Sequence, residues 1–344
     1  MASSFRLALY EIENEETPLN RDLLAMLSGP TREESQAFVE ALGRLSQRRR
    51  REVLARMVRY AVESFDLDFV DIFRLCIRDH DPVVRHFAIR GLWEDERPDL
   101  IKPLLQMLAK DPDHRVRAAA ATSLGRFVFL AECEEIDPQR GELIRRELER
   151  TINDPQERVE VIRRAVEALA FINDDQVRQI IERTYAHWDR RMQLSALFAM
   201  GRSADPFWTD IVLDELYSDS PAMRYEAARA CGEIQIKKAV PRLIQLIRDT
   251  DRAVQEMAIW ALGQIGGNKA RAALIRCIEE DDDRLRAAAE DALDEAEFAS
   301  RLVELMSTSL EETDLTEGQD SWEEEEEDWL GPDEEEWPDD VIDI

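Results

Sequence analysis

The chain has 344 residues and lacks most features from which a function is usually read. Its four cysteines, Cys76, Cys133, Cys231 and Cys277, form no Cys-x-x-Cys pair. That removes the close ligand spacing of a zinc ribbon or a dithiol redox motif, and the thiols read as buried and free in a reducing compartment. There is no N-terminal apolar stretch of the signal-peptide kind and no run near the roughly eighteen apolar residues of a membrane span. The expectation is a cytoplasmic protein without a membrane segment. Only four histidines occur, His80, His86, His114 and His187, and no two stand four apart, so no helical zinc motif exists. No Gly-x-Ser-x-Gly is present. The one glycine cluster, "GQIGG" (263–267), follows a helical stretch rather than a strand, which makes it a helix end and not a phosphate cradle. No catalytic residue, cofactor site or metal site is legible, and the chain is expected not to be an enzyme.

Positive charge is also missing where negative charge is densest. From Leu310 onward there are eighteen Asp and Glu and no Lys or Arg, so most of the net charge of −30 resides in that segment. Such a balance argues against wrapping nucleic acid or docking on an anionic membrane, both of which need concentrated positive charge.

What the chain does have is a repeat. Segments such as "DHDPVVRHFAIRGL" (79–92), "DPDHRVRAAAATSLG" (111–125) and "DTDRAVQEMAIWALG" (249–263) align on one pattern. Seven first core residues, Val84, Val116, Val161, Met192, Met223, Val254 and Leu285, follow one another at spacings of 32, 45, 31, 31, 31 and 31. Alanine stands four residues after every one of them. Each segment reads as an amphipathic helix started by a capping Asp81, Asp113, Asp189, Asp251 or Asp282, or by Ser220. Glycines 125, 201, 232 and 263, nine residues after their anchors, are expected to loosen or end these helices. Second apolar-striped stretches lie between them, at 100–110, 141–152, 175–185, 207–217, 239–247 and 270–278. Two helices per unit, neither able to bury its stripe alone, must stack into an all-α solenoid of about seven to eight helix pairs. The spacing of 45 predicts an inserted, protruding loop near "LAECEEIDPQR" (130–140).

These pairs resemble HEAT-type repeats, in particular the short form associated with phycobilisome lyases. The likeness rests on the Asp-x-Asp-x-x-Val-Arg starts at 79–85 and 111–117, followed by Ala and then Leu-Gly, and it covers residues 67–296. It implies inner helices lining a concave groove and a ladder of Asp–Arg pairs between repeats. Arg follows the anchor at Arg85, Arg117, Arg224 and Arg286 but is replaced by Ile162, Gln193 and Gln255, so the ladder is not expected through the middle repeats. The His-Glu pairs that HEAT-like deoxyhypusine hydroxylases use for iron are missing, since no histidine is followed by Glu. A bilin lyase-type enzyme subunit or accessory factor is the alternative reading the resemblance implies.

Four regions follow: an N-terminal extension (1–19), a degenerate helical capping repeat (20–66), the repeat array with a capping helix (67–309) and a disordered acidic tail (310–344). In the capping repeat, Ser46 caps a helix whose first turns contain "RRRR" (48–51), either an anion contact or a solvated turn. In the array, positions two and six after each anchor point away from the core. They are His86/Arg90, Ala118/Thr122, Arg163/Glu167, Leu194/Phe198, Tyr225/Arg229, Glu256/Trp260 and Ala287/Asp291. Leu194, Phe198, Tyr225, Arg229 and Trp260 combine aromatics with arginine and form the candidate partner-binding groove.

The tail holds three of the seven tryptophans, in "SWEEEEEDWLGPDEEEWPDD" (321–340). Ordering it would cost more backbone entropy than its few apolar residues return. Trp322, Trp329, Trp337, Ile342 and Ile344 therefore read as a linear motif, with acids that speed encounter and aromatics that supply affinity. Its target is either a basic surface on another protein or the chain's own groove, where Arg229, Arg202 and Arg126 are candidate contacts and the tail would act as an autoinhibitory ligand. The whole reads as a protein-interaction scaffold or adaptor that takes a peptide or protein segment.

Overall fold

The computed structural model describes residues 4–64, 66–279 and 282–298. The expectations for residues 310–344, including Trp322, Trp329, Trp337, Ile342 and Ile344, lie outside them. The helices below belong to the first of two compact units, Met1–Ala296. No strand occurs among the described residues.

Four helices come first: α1 (Ser4–Glu13), α2 (Arg21–Ala25), α3 (Arg32–Arg44) and α4 (Gln47–Glu63). The pairs follow as α5 (Val70–Cys76) with α6 (Pro82–Gly91), α7 (Ile101–Lys110) with α8 (His114–Glu132), and α9 (Pro138–Ile152) with α10 (Val159–Leu169). Next are α11 (Asp175–Tyr185) with α12 (Arg190–Arg202), α13 (Thr209–Glu215) with α14 (Pro221–Glu233), and α15 (Val240–Leu246) with α16 (Arg252–Ile265). The last pair is α17 (Asn268–Glu279) with α18 (283–298), of which 283–296 belong to this unit. Short 3-10 turns lead into α7, α13 and α15.

The even-numbered helices from α6 carry the seven anchors, and every anchor is buried. Ala88, Ala120, Ala165, Ala196, Ala227, Ala258 and Ala289 are fully enclosed. The side chains of Asp81, Asp113, Asp189, Asp251 and Asp282 accept from N–H groups of their first turns at 2.8–3.3 Å, as N-caps do. Ser220 occupies the cap position without that bond.

Gly201, Gly232 and Gly263 stand one or two residues before the ends of their helices, as expected, but the glycines nine residues past the anchor have a second job. A Cβ at Gly125 would lie 3.1 Å from Ala168 Cα, one at Gly201 2.8 Å from Ala230 Cα, and one at Gly263 2.8 Å from the Ala292 carbonyl oxygen. In each case the glycine of one anchor helix meets an alanine of the next. Hydrogen in place of a methyl lets consecutive backbones touch, and α8 runs straight through Gly125. The expected insertion loop is likewise absent. The extra residues lengthen α8 to 19 and α9 to 15, because Phe127, Val128 and Leu130 continue the buried stripe past the usual end.

Arginine after the anchor builds the ladder at Arg85, Arg117 and Arg224. Arg85 pairs with Asp111, Arg117 with Glu157 and Arg224 with Asp249, each with two parallel bonds of 2.7–2.8 Å. Each also donates backward to a turn carbonyl, Asp79, Asp111 and Ser218 respectively. Gln193 and Gln255 keep only the backward bond, to His187 and Asp249. The ladder thus breaks in the middle, where the sequence departs from the pattern.

Of the "RRRR" run only Arg48 is exposed to solvent, and the other three are used inside the fold. Arg49 is buried and donates to the carbonyls of Ile12, Asn14 and Thr17. Arg50 is buried too and donates to the Leu42 carbonyl, while Arg51 pairs with Asp81. These guanidiniums satisfy the free carbonyls at the ends of α1 and α3. Cys76, Cys231 and Cys277 are buried as expected, whereas Cys133, at the end of α8, is exposed.

Candidate functional site

Leu194 and Phe198 on α12, Tyr225 and Arg229 on α14, and Trp260 on α16 share the face that the anchor helices turn away from the odd-numbered layer. All five are half-buried. The Arg229 guanidinium lies 4.2 Å from the Phe198 ring centroid and donates to the Phe198 carbonyl, Glu226 and Glu233. Arg202 approaches the same ring from 5.5 Å. Trp260 leans over Gly232, where a Cβ would come within 2.7 Å of the indole. Leu194, Tyr225 and Trp260 pack on the core. This stretch is paved by side chains that hold one another.

Between it and the N-terminal helices runs a charge-balanced strip. Arg164 bridges Glu160 and Glu167, Arg163 pairs with Glu160, and Ser195 Oγ accepts from Arg163 while donating to Glu167 at 2.6 Å. Burial raises the Glu226 carboxyl, against the lowering effect of Arg229. Every arginine here has its carboxylate.

The open space lies further toward the N-terminus. Where α4, α6, α8 and α10 stand side by side they enclose a pocket of about 670 Å³, within the size range of ligand pockets, roughly 300–1,000 Å³. Its apolar wall comes from Val58 and Val62 on α4, Ile89 on α6 and Ala118 on α8, with Trp93 at the edge. Val62 and Trp93 are among the most exposed large apolar side chains of the array, at 59% and 50%. The polar side is mainly basic: His86 and Arg90 from α6, Arg115, Thr122, Ser123 and Arg126 from α8, and Arg164 with the acid Glu160 from α10.

Two of these groups, Arg90 and Arg126, differ from the rest of the face in making no ion pair among the described residues. Arg126 donates to the carbonyls of Leu92 and Asp95 at the end of α6, and has no carboxylate in contact. Its Nε and the Ser123 Oγ are buried without a partner. Burial lowers the Arg126 guanidinium from its ordinary value, against the raising effect of Glu96, Asp95 and Glu94. Arg90 is exposed and makes no ion pair among the described residues. Arg115 is committed to Asp113. His86 Nδ1 lies 3.3 Å from the Arg115 carbonyl, and burial, with Arg90 and Arg115 nearby, lowers its pKa from the ordinary histidine value. His86, Arg90, Ala118 and Thr122 were on the outward-facing list. Trp93, beyond the helix end, and Ser123, beside the outward position, were not.

Among the described residues no group of three or more His, Cys, Asp or Glu side chains is placed to hold a metal ion. These residues do not supply the donor set of a His–Glu metal centre.

A model of HEAT repeats matches residues 71–138 and 209–294. Those two stretches are HEAT repeats, and the array has the fold of a HEAT-like solenoid. Deoxyhypusine hydroxylase from Arabidopsis thaliana is 25% identical over 171 residues, 49% of this chain and 50% of that protein. The chain therefore spans about half the length of this curated relative. Among solved structures, the CpcE–CpcF complex of phycocyanin lyase from Nostoc is 18% identical, covering 82% of this chain and 99% of that one, with a TM-score of 0.49. Designed armadillo repeat proteins for modular peptide recognition are 18% identical over 58% of this chain and 99% of theirs, with a TM-score of 0.34. The expectation that this HEAT array is not an enzyme is corrected by the hydroxylase match. That expectation rested on missing local motifs, and a relative named as an enzyme overturns it.

Proposed function

We propose that the HEAT array is a binding scaffold for an extended segment of a protein partner, taken up on the anchor-helix face. One observation carries the reading: the face is paved and charge-balanced along most of its length but opens into a pocket between α4 and α10, with an apolar wall and unneutralised donors. The segment enters that pocket and continues along Leu194, Phe198, Tyr225, Arg229 and Trp260, whose aromatic and guanidinium surfaces suit interface contacts. Residues 310–344 act as a linear motif in their own right, offering Trp322, Trp329, Trp337, Ile342 and Ile344 to a basic, apolar-lined surface. A second reading, service in an enzyme complex, is supported by the hydroxylase relative.

The test is to pan a random peptide library on the full chain, with Thr122→Trp as the counter-selected variant. Thr122 is exposed at the pocket, so an indole there fills the space without entering the core. Peptides that bind the parent chain at least tenfold better than the variant support the scaffold. A library that enriches nothing, or only peptides indifferent to Thr122→Trp, defeats it.

A further inference from the structure

The pocket also has a definite chemistry. Among the described residues four buried side-chain polar atoms lack a partner, and two of them, Ser123 Oγ and Arg126 Nε, line this one space. An unsatisfied buried donor costs about 1–3 kcal/mol, and folded proteins keep few of them. Both can donate to an oxyanion. Arg90 adds a cation at the exposed side with no carboxylate of its own. The remaining arginines of the pocket are occupied, Arg115 by Asp113 and Arg164 by Glu160 and Glu167. Two guanidiniums and a hydroxyl are thus available. That suits one or two carboxylates and is too little for a nucleic-acid backbone, which needs many phosphate contacts. The opposite wall, Val58, Val62, Ile89 and Trp93, is apolar apart from the Trp93 indole N–H and fits an aliphatic or aromatic side chain.

We propose that the α4–α10 pocket is a carboxylate-binding site that takes an Asp or Glu of a partner peptide at Ser123, Arg126 and Arg90, with a neighbouring aromatic residue seated on the Val58–Trp93 wall. The proposal rests on the scaffold reading and adds the ligand's chemistry. Acid beside aromatic is the pattern the pocket selects, and basic peptides are disfavoured by Arg90 and Arg126.

The probe is a fluorescein-labelled peptide, Asp-Glu-Glu-Glu-Trp-Pro-Asp-Asp, the order found at 333–340. Its amide analogue carries Asn and Gln in place of every acid. Both are titrated by anisotropy into the full chain and into the full chain with Trp322, Trp329 and Trp337 replaced by Ala, which removes the chain's own aromatic–acid motif as a competitor. The acidic peptide should bind at least tenfold more tightly than the amide analogue, and weaken as salt is raised. Arg126→Gln should abolish that preference. Because Arg126 also holds the end of α6, Arg90→Gln is the companion variant: exposed and without an ion pair, it should leave melting unchanged and weaken binding at least threefold. Equal binding of acid and amide peptides, both blocked by Thr122→Trp, overturns the carboxylate site and leaves the scaffold standing. Binding of neither peptide to either chain also overturns the site, and the library panning then decides the scaffold separately.

Discussion

Gly201 and Gly263 are the positions at which one added methyl tests the packing argument most directly. At Gly201 an alanine Cβ would stand 2.8 Å from Ala230 Cα and 2.9 Å from its Cβ, and at Gly263 it would stand 2.8 Å from the Ala292 carbonyl oxygen. Apart from the Glu233 carboxylate at Gly201, whose flexible end can move aside, the obstructing atoms are backbone or attached directly to it, so relief requires α12 to part from α14, or α16 from α18. Overpacking of this kind costs about 1–3 kcal/mol. Helix propensity works the other way, since alanine in a helix interior gains about 0.5–1 kcal/mol over glycine. The net should be a loss on the order of 1–2 kcal/mol and a fall in Tm of about 2–6 °C. Gly43 supplies the control, because a Cβ there meets nothing within 4 Å and should show the propensity gain alone. Gly125, whose nearest contact is 3.1 Å, should fall between them. Thermal and urea unfolding of the four alanine variants, followed by far-UV circular dichroism, gives the order. If Gly201→Ala and Gly263→Ala are as stable as the parent, the glycines are not holding the backbones together and the packing argument is wrong.

Other tests address charge and exposure. Arg224 and Asp249 form a half-buried bidentate pair, and Arg224→Gln leaves the carboxylate without its guanidinium, which should cost about 1.5–3 kcal/mol; the double variant Arg224→Gln, Asp249→Asn should lose less than the two single losses together. The Asp95 carboxyl, which burial alone would raise, is held down to about 2 by hydrogen bonds from Arg74 and Arg97. A depressed folded value stabilises above the ordinary carboxylate range and is lost as pH falls from about 4 through 2. Asp95→Asn should therefore flatten the dependence of stability on pH in that window, and an unchanged slope would refute the assignment. In a thiol titration of the native chain, Cys133 should react fast. Cys76 and Cys231, both pushed up to about 12 by burial, and the buried Cys277 should react only on unfolding.

The repeat was legible because its signal is local and redundant. An Asp cap, an anchor, an alanine four residues on and a glycine nine on recur in register, and helical periodicity converts them directly into a buried stripe. What the sequence left open depended on neighbours it does not show. The same glycine pattern suits a helix end or a close crossing, and only Ala168, Ala230 and Ala292 opposite reveal the crossing. The arginines at 48–51 look solvated until the carbonyls of Ile12 and Leu42 are found beside two of them. The outward-facing list held both His86/Arg90 and Phe198/Trp260. Composition favoured the aromatics, but aromatic side chains fold down over glycine and arginine, while the smaller Ala118 and Thr122 leave room. Hydropathy ranks side chains by affinity for burial and does not measure the space they leave.

The two unpartnered donors, Ser123 Oγ and Arg126 Nε, mean that the most stable version of this array and the version that best holds an acid are different molecules. Replacing Ser123 with alanine removes a stranded hydroxyl from a helix, and should raise the melting temperature while weakening the grip on a carboxylate. Stability screening alone would therefore steer this chain away from its own ligand.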